Sequence, residues 1–532
     1  MSFKERHLPI SLACVLVASM ATMTVVAQKP GRRPTLVVGI MIDGLDIDKV
    51  YQLREHFGAN GFNRLLDKGV TITDLDYGSH LDDAASTAVV FTGAAPSVNG
   101  IPSATLFDTA SRRQRSVLLD ASQIGNFTDE TLSPASIRVS TLGDEVKIDA
   151  GGLGAVYSIS PDATQAIIMA GHAANNACWI TNNTGKWATT TYYKELPSAI
   201  QSINHRTPLS QRLDTLTWRP LLDGKKLADL PSYKRIYQFS HAYPRTSVTR
   251  YAAYKASAPV NTEVTTISAD YIKLMSLGKR EPVDMLNISY TLQPYLYSND
   301  ADTRAEQIDS YIRLDRDLDR LFRSIDASGP GMDNTLIFIA GTPQSSDALP
   351  DDKKWKVPTG EFSPSRAVSL LKMNLMSIFG NGDWVVGYHD RQIYLNRALI
   401  KERGLSLDDM RRESVDFLRR MSGVTYAATV DQVVSAYPAA DNPYPHPRNV
   451  DIDTAGDIFL TVAPGWVIAE ESSTPATVQR YGNASSAAFI LYPSISAQTI
   501  TLPVDARAIA PTVAAVMRIR PPNGSQVAPL RF

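Results

Sequence analysis

The chain has 532 residues, 44% of them hydrophobic and 20% charged, with a formal net charge of −1. That composition supplies ample core-forming material. Near-neutral charge without a long basic run or an aromatic–basic stripe excludes the electrostatic signatures of nucleic-acid and anionic-membrane binding.

Lys4, Arg6 and His7 precede an apolar stretch from Leu8 to Val26, and Val25-Val26-Ala27 leads into Gln28. This pattern predicts a secretory signal peptide over residues 1–27, cleaved after Ala27, and a mature domain over 28–532. The expected location is the periplasm or extracellular space of a bacterium, with no integral membrane segment after cleavage. A retained anchor is the alternative, although Ser and Thr interrupt the apolar stretch. Cys14 matches a lipoprotein signal poorly. Cys178 is then the one cysteine of the mature chain, which excludes an internal disulfide and a zinc site built on several cysteines. Between Ala177 and Trp179 it reads as a small buried hydrophobe.

Along the mature chain, apolar β-branched runs alternate with helical periodicity, predicting α/β architecture around a mainly parallel sheet. Thr35–Ile42 is the first buried strand, ending against Asp43, and Tyr51–Lys68 reads as helical. Asp82 and Asp83 sit in a loop before a helix over Ala85–Thr92. Residues from Ala104 to about Pro282 are rich in Ser, Thr, Asn, Tyr and Pro, and are expected to form cap insertions beside the sheet. Met285–Tyr290 and Thr335–Ala340 read as strands. Between them Arg304–Ile325 carries Ile308, Tyr311, Ile312, Leu318, Leu321 and Phe322 at helical spacing, with Asp302 or Thr303 as the cap. Ser363–Gly380 is a predicted helix, Gly382–Asn396 a hairpin, and proline-rich Asp441–Arg448 a loop.

Several stretches together resemble the alkaline phosphatase superfamily, in its bacterial type I phosphodiesterase/nucleotide pyrophosphatase-like branch. They are LVVGIMIDG at 36–44, DDAASTAVVFTGAAPSVNGI at 82–101, SISPDATQAIIMAGHAANNACW at 158–179, DMLNISYTLQPYLYS at 284–298, TLIFIAGTP at 335–343 and YGNASSAAFILY at 481–492. Segments 456–467 and 509–530 resemble the family's C-terminal stretches. The resemblance implies an alkaline-phosphatase-like central sheet flanked by helices. It also implies two zinc ions and a Thr or Ser nucleophile.

Position by position, most of that chemistry is replaced. Asp43 matches the first metal-ligand carboxylate, although a carboxylate after a strand is equally often a helix cap. The nucleophile position falls on Asp83, with Ser86 and Thr87 about a turn further on; a polar cap is the competing reading. Ala104 stands where an Asn would contact phosphate. Asp162 and Thr164 stand where a Lys and an Arg would. Pro294 and Ser298 replace a metal Asp and His, with Tyr295 kept. Gly341 and Thr342 replace an Asp-His pair, and Ser486 the last metal His. His172 belongs to a packing motif in the family. The remaining histidines form no pair at metal-ligand spacing.

Two functions remain open. The first is an exported phosphatase-like pseudoenzyme without a cofactor or catalytic residues, binding a ligand or protein partner or serving the envelope structurally, with Asp43, Asp83 and Thr87 lining the old cleft. The alternative is a metal-dependent phosphatase or phosphodiesterase with a rebuilt single-metal site. There Asp43 and Asp83, joined by Asp82 in one version, would hold one Mg²⁺ or Ca²⁺.

Overall fold

The computed structural model describes residues 32–532 apart from 227–229, 231–233, 236–237, 301, 345–359, 438–444, 464–465, 470–476 and 479–484. The predicted signal peptide and much of the proline-rich 441–448 loop lie outside the described residues.

The central sheet has eleven strands. In chain order they are β1 Leu36–Asp43, β2 Val70–Asp76, β3 Gly125–Asn126, β4 Val156–Ile159, β5 Asn176–Ile180 and β6 Trp187–Thr190, followed by β7 Asp284–Thr291, β8 Thr335–Gly341, β9 Ser485–Leu491, β10 Gln498–Ile500 and β11 Val504–Asp505. Their spatial order is β10-β2-β9-β8-β1-β7-β4-β5-β6-β3, with β11 also on β2. The centre, β8-β1-β7-β4-β5, is parallel, while β9 runs antiparallel to both β8 and β2. Central parallel strands are covered on both faces and therefore read as unbroken apolar runs, as β1, β7 and β8 do.

Alternation along β1 divides the core. Val38, Ile40 and Ile42 pack with Val264, Ile267, Leu314, Leu318 and Leu321 from helices Pro259–Leu274 and Arg304–Ser328. Val37 and Met41 face Val89, Val90, Val146 and Val513 from helices Asp83–Thr92, Leu142–Asp149 and Ile509–Met517. Each such side chain, fully buried, contributes about 1.5–3 kcal/mol. The result is a helix–sheet–helix sandwich.

Two expectations need correction. The segment 104–282, expected as cap insertions, contributes β3, β4, β5 and β6 to the sheet itself. These strands are short, from 2 to 5 residues, so their apolar runs are too brief to stand out in polar surroundings. The continuous helix expected over Tyr51–Lys68 is two helices, Ile47–Gln52 and Phe62–Lys68, with a short 3₁₀ turn between. The break is held by buried Asp315, which accepts from the Gly58 and Phe62 amides at 2.7 and 2.8 Å. A Cβ on Gly61 would lie 2.0 Å from that carboxylate, so glycine is required there. Of the two capping residues expected for Arg304–Ser328, Asp302 accepts from the Arg304 amide through Oδ1, and Thr303 makes no side-chain cap.

Between β8 and β9 the chain builds a separate lobe. Strands Val385–His389, Gln392–Leu395, Val424–Thr429 and Ile458–Val462 form a four-stranded sheet. Helices Pro364–Phe379 and Leu407–Leu418 cover it through Leu371, Leu375, Met410 and Leu418. Ser363 caps the first of these helices, and the expected hairpin turns at Asp390 and Arg391, both with positive φ. Cys178 is fully buried in β5, as its apolar neighbours predicted.

Candidate functional site

β1 ends in Asp43, and the helix Asp83–Thr92 begins beside it at the carboxyl edge of the parallel strands, where open α/β sheets present their ligand-binding groups. Asp82, one residue earlier, is the helix cap. Its Oδ1 accepts from the Ala85 amide at 2.8 Å, and its Oδ2 from the Ser103 hydroxyl and Ala104 amide at 2.8 and 2.7 Å. The expected extra metal ligand is thus committed to local structure, and the Ala104 loop supports that cap through its backbone. Asp83 is left facing the site.

Neutral groups surround the Asp43–Asp83 pair. Gln165 Nε2 donates to Asp43 Oδ1 at 2.7 Å and to Thr87 Oγ1 at 3.3 Å. Thr87 donates to the Asp83 carbonyl at 2.6 Å and is fully buried, so it acts through Gln165 and has no face toward a ligand. Gln293 Nε2 donates to Asp83 Oδ1 at 3.2 Å and to the Pro343 carbonyl at 3.3 Å. The Thr342 hydroxyl donates to Asp83 Oδ1 and accepts from the Gly44 amide at 3.1 Å. Neither glutamine belongs to a recognisable motif, and both were missed in the sequence.

No Lys or Arg among the described residues pairs with either carboxylate. Burial, followed by the charge of Asp83, therefore pushes the Asp43 carboxyl well above the usual carboxylate range, and Asp162 and Asp82 add to the shift. Burial also pushes Asp83 up to about 7, partly offset by the hydrogen bond from Thr342. Asp162 itself caps the helix Ala163–Ala170, accepting from the Thr164 and Gln165 amides, so the Lys and Arg positions of the family carry no cation here.

The zinc positions are filled as well as altered. A Cβ on Gly341 would meet Ser486 Oγ at 2.2 Å and Leu45 Cβ at 2.5 Å, so the carboxylate expected by resemblance has no room. Ser486 donates to the Leu45 carbonyl at 2.7 Å, and Tyr77 donates to the Gly341 carbonyl at 2.6 Å. Pro294 is buried without a donor atom, and Ser298 accepts from the Asp300 amide at 3.1 Å. Among the described residues no group of three or more His, Cys, Asp and Glu is arranged to hold a metal. A two-zinc centre does not fit this site. A single oxygen-seeking cation asks for less, and the two carboxylates with the Thr342 hydroxyl are hard oxygen donors of the kind it takes.

His172, expected as structural, is structural. Its Nδ1 lies 2.9 Å from Asp144 Oδ2 and its Nε2 3.0 Å from the Ile137 carbonyl, on the far side of the Leu142–Asp149 cap.

A parallel-centred sheet with an acidic pair at its carboxyl edge defines an alkaline-phosphatase-like protein. The type I phosphodiesterase/nucleotide pyrophosphatase model matches residues 37–486, and the chain belongs to that family. Three relatives align over almost their full length. The alkaline phosphatase PafA of Elizabethkingia meningoseptica is 24% identical, with 94% of each chain covered. A protein of Myroides odoratus named as a calcium-transporting ATPase is 26% identical, with 96% of each covered. The alkaline phosphatase PhoV of Synechococcus elongatus is 24% identical over 97% of this chain and 98% of its own. The crystal structure of wild-type PafA superposes with a TM-score of 0.81 over 94% of this chain and 98% of that one, and so shares the fold.

These relatives overturn the expectation of a pseudoenzyme. Proteins covering nearly the whole chain are named as alkaline phosphatases, which favours a phosphatase with a rebuilt site. The expectation that no cofactor is needed loses its support with it. Among the described residues no helix is long and apolar enough to cross a membrane.

Proposed function

We propose that the chain hydrolyses phosphate esters at a rebuilt site in which Asp43 and Asp83 hold one divalent cation, Mg²⁺ or Ca²⁺. The observation that carries this reading is the meeting of the two carboxylates where β1 ends and the Asp83 helix starts. Family membership and the names of the full-length relatives support the reaction class. When bound, the cation would supply the positive charge for phosphoryl oxygens that the family's Lys and Arg positions no longer provide.

The chain's own groups orient the pair. Gln165 fixes Asp43 through Oδ1, while Gln293 and Thr342 fix Asp83 through Oδ1, so in each carboxylate the second oxygen remains for a ligand. Asp83 is raised to about 7 by burial in the cation-free chain, and a bound cation would hold it ionised as a ligand. A water oxygen bonds to phosphorus as the ester P–O bond breaks, the water's proton passes to solvent, and the leaving oxygen takes up a solvent proton as the alcohol. Thr87 holds Gln165 in place from behind. The signal-like segment 1–27 supports export, which fractionation of the expressing cell would check.

Purified mature chain should release p-nitrophenol from p-nitrophenyl phosphate or its bis-ester with added Mg²⁺ or Ca²⁺, and lose that activity with chelator, in Asp43→Asn and in Asp83→Asn. Absence of cation-dependent turnover with both esters would sink the proposal.

A further inference from the structure

Beyond Gln293 the loop after β7 leaves the acidic pair and enters a cavity of about 640 Å³. Its walls are aromatic. Phe239 stacks on the His241 ring at 5.3 Å and 21°, Tyr295 lies 4.8 Å from the same ring, and Tyr297 follows Tyr295 at 6.0 Å. Tyr243 completes the lining. The cavity is of the size that takes a small organic molecule.

Glu306 stands in its wall, in the first turn of the helix Arg304–Ser328, and is only 1% exposed. Its Oε1 is 2.9 Å from His241 Nε2, but its Oε2 is buried without a hydrogen-bond partner. A buried carboxylate oxygen without a donor is costly, and the cost is relieved when a ligand brings one. Of the cationic side chains in the lining, Lys234 pairs with Asp300, and Arg250 pairs with Asp214 at 2.7 Å through a terminal nitrogen while its Nε is buried without a partner. The Nδ1 of His241 has no protein donor or acceptor among the hydrogen bonds of the described residues, leaving a second polar atom at this end of the cavity.

We infer that this cavity is a binding site for an organic ammonium ion bearing N–H donors, an arylalkylamine in size and shape, held between the faces of Phe239, Tyr295 and Tyr297 and the Glu306–His241 pair. Aromatic faces attract a cation through their quadrupole, and the carboxylate adds full charge in a partly desolvated setting. The unpartnered Oε2 favours an amine with hydrogens over a quaternary ammonium. The inference does not rest on hydrolysis at Asp43 and Asp83.

Isothermal titration calorimetry of the full mature chain with phenethylamine at neutral pH tests it. Binding is expected, weakened at least about tenfold by Glu306→Gln and by Tyr297→Leu, each checked for an unchanged circular dichroism spectrum. Should Glu306→Gln fail to fold, Tyr297→Leu carries the test, because Tyr297 is half-buried at the rim. No heat with phenethylamine, equal affinity for neutral 2-phenylethanol, or tighter binding of choline would each overturn the assignment.

Discussion

Removing one charge from the acidic pair gives the sharpest test of the site. In Asp83→Asn the amide oxygen can keep accepting from Thr342 and Gln293, while its NH₂ turns toward Asp43. Asp83 is raised from 3.8 to about 7. Its native state therefore keeps a proton that the unfolded chain has released. The resulting stability is fully present below about pH 4 and is lost as pH rises to about 7. A shift of this size corresponds to about 4 kcal/mol at ~1.4 kcal/mol per pH unit, as a ceiling. Because Asp83 is half-buried and solvent screens part of the effect, about 1–3 kcal/mol is the realistic gain of the variant at pH 8 in chelator. At pH 5 the gain should be smaller. Urea denaturation at both pH values measures it directly. Saturating Mg²⁺ or Ca²⁺ should reverse the order, stabilising wild type by about 2.7 kcal/mol at a hundredfold excess over Kd and the variant by less. An equal effect at pH 5 and pH 8, or a less stable variant at pH 8 without cation, would refute the reasoning.

Other outcomes follow from the same geometry. Gly341→Asp should cost about 1–3 kcal/mol by overpacking against Leu45 and Ser486, and should bind no zinc by elemental analysis. His172 is raised by its hydrogen bond to Asp144; the stability from that pair is complete below pH 6.5 and fades as pH climbs through the raised value. His172→Ala should therefore lose more stability at pH 6 than at pH 9, by no more than about 1 kcal/mol for so exposed a ring. Leu371→Ala should cost about 2–5 kcal/mol of lobe stability, read by denaturant melts. Gln165→Leu should lower cation-dependent turnover by about tenfold or more, since it removes the donor that fixes Asp43 Oδ1.

The sequence was most readable where one physical demand acted on consecutive residues. Strands β1, β7 and β8 are buried on both faces, so their apolar runs announced them and placed Asp43 at a strand end. Asp83 was singled out only by the resemblance, counting back from Thr92-Gly93, and its neighbour Asp82 proved to be the helix cap. The glutamines were not legible. Gln165 reaches Asp43 across 122 positions and Gln293 reaches Asp83 across 210, and a neutral amide carries no spacing rule that would flag it. The strands within 104–282 were hidden for another reason: β3 has 2 residues and β4 has 4, too few to show a period.

The packing around Gly341 also gives the fold a direction. With Leu45 and Ser486 occupying the volume beyond its Cα, any single step back toward a carboxylate at 341 meets a filled space before it meets a metal. Changing Ser486 alone sacrifices its bond to the Leu45 carbonyl and still leaves the leucine in the way. A laboratory library aimed at a zinc-binding descendant must therefore vary residue 45 together with 341 and 486. One confined to the ligand positions carries the overpacking cost against Leu45 with every carboxylate it places at 341.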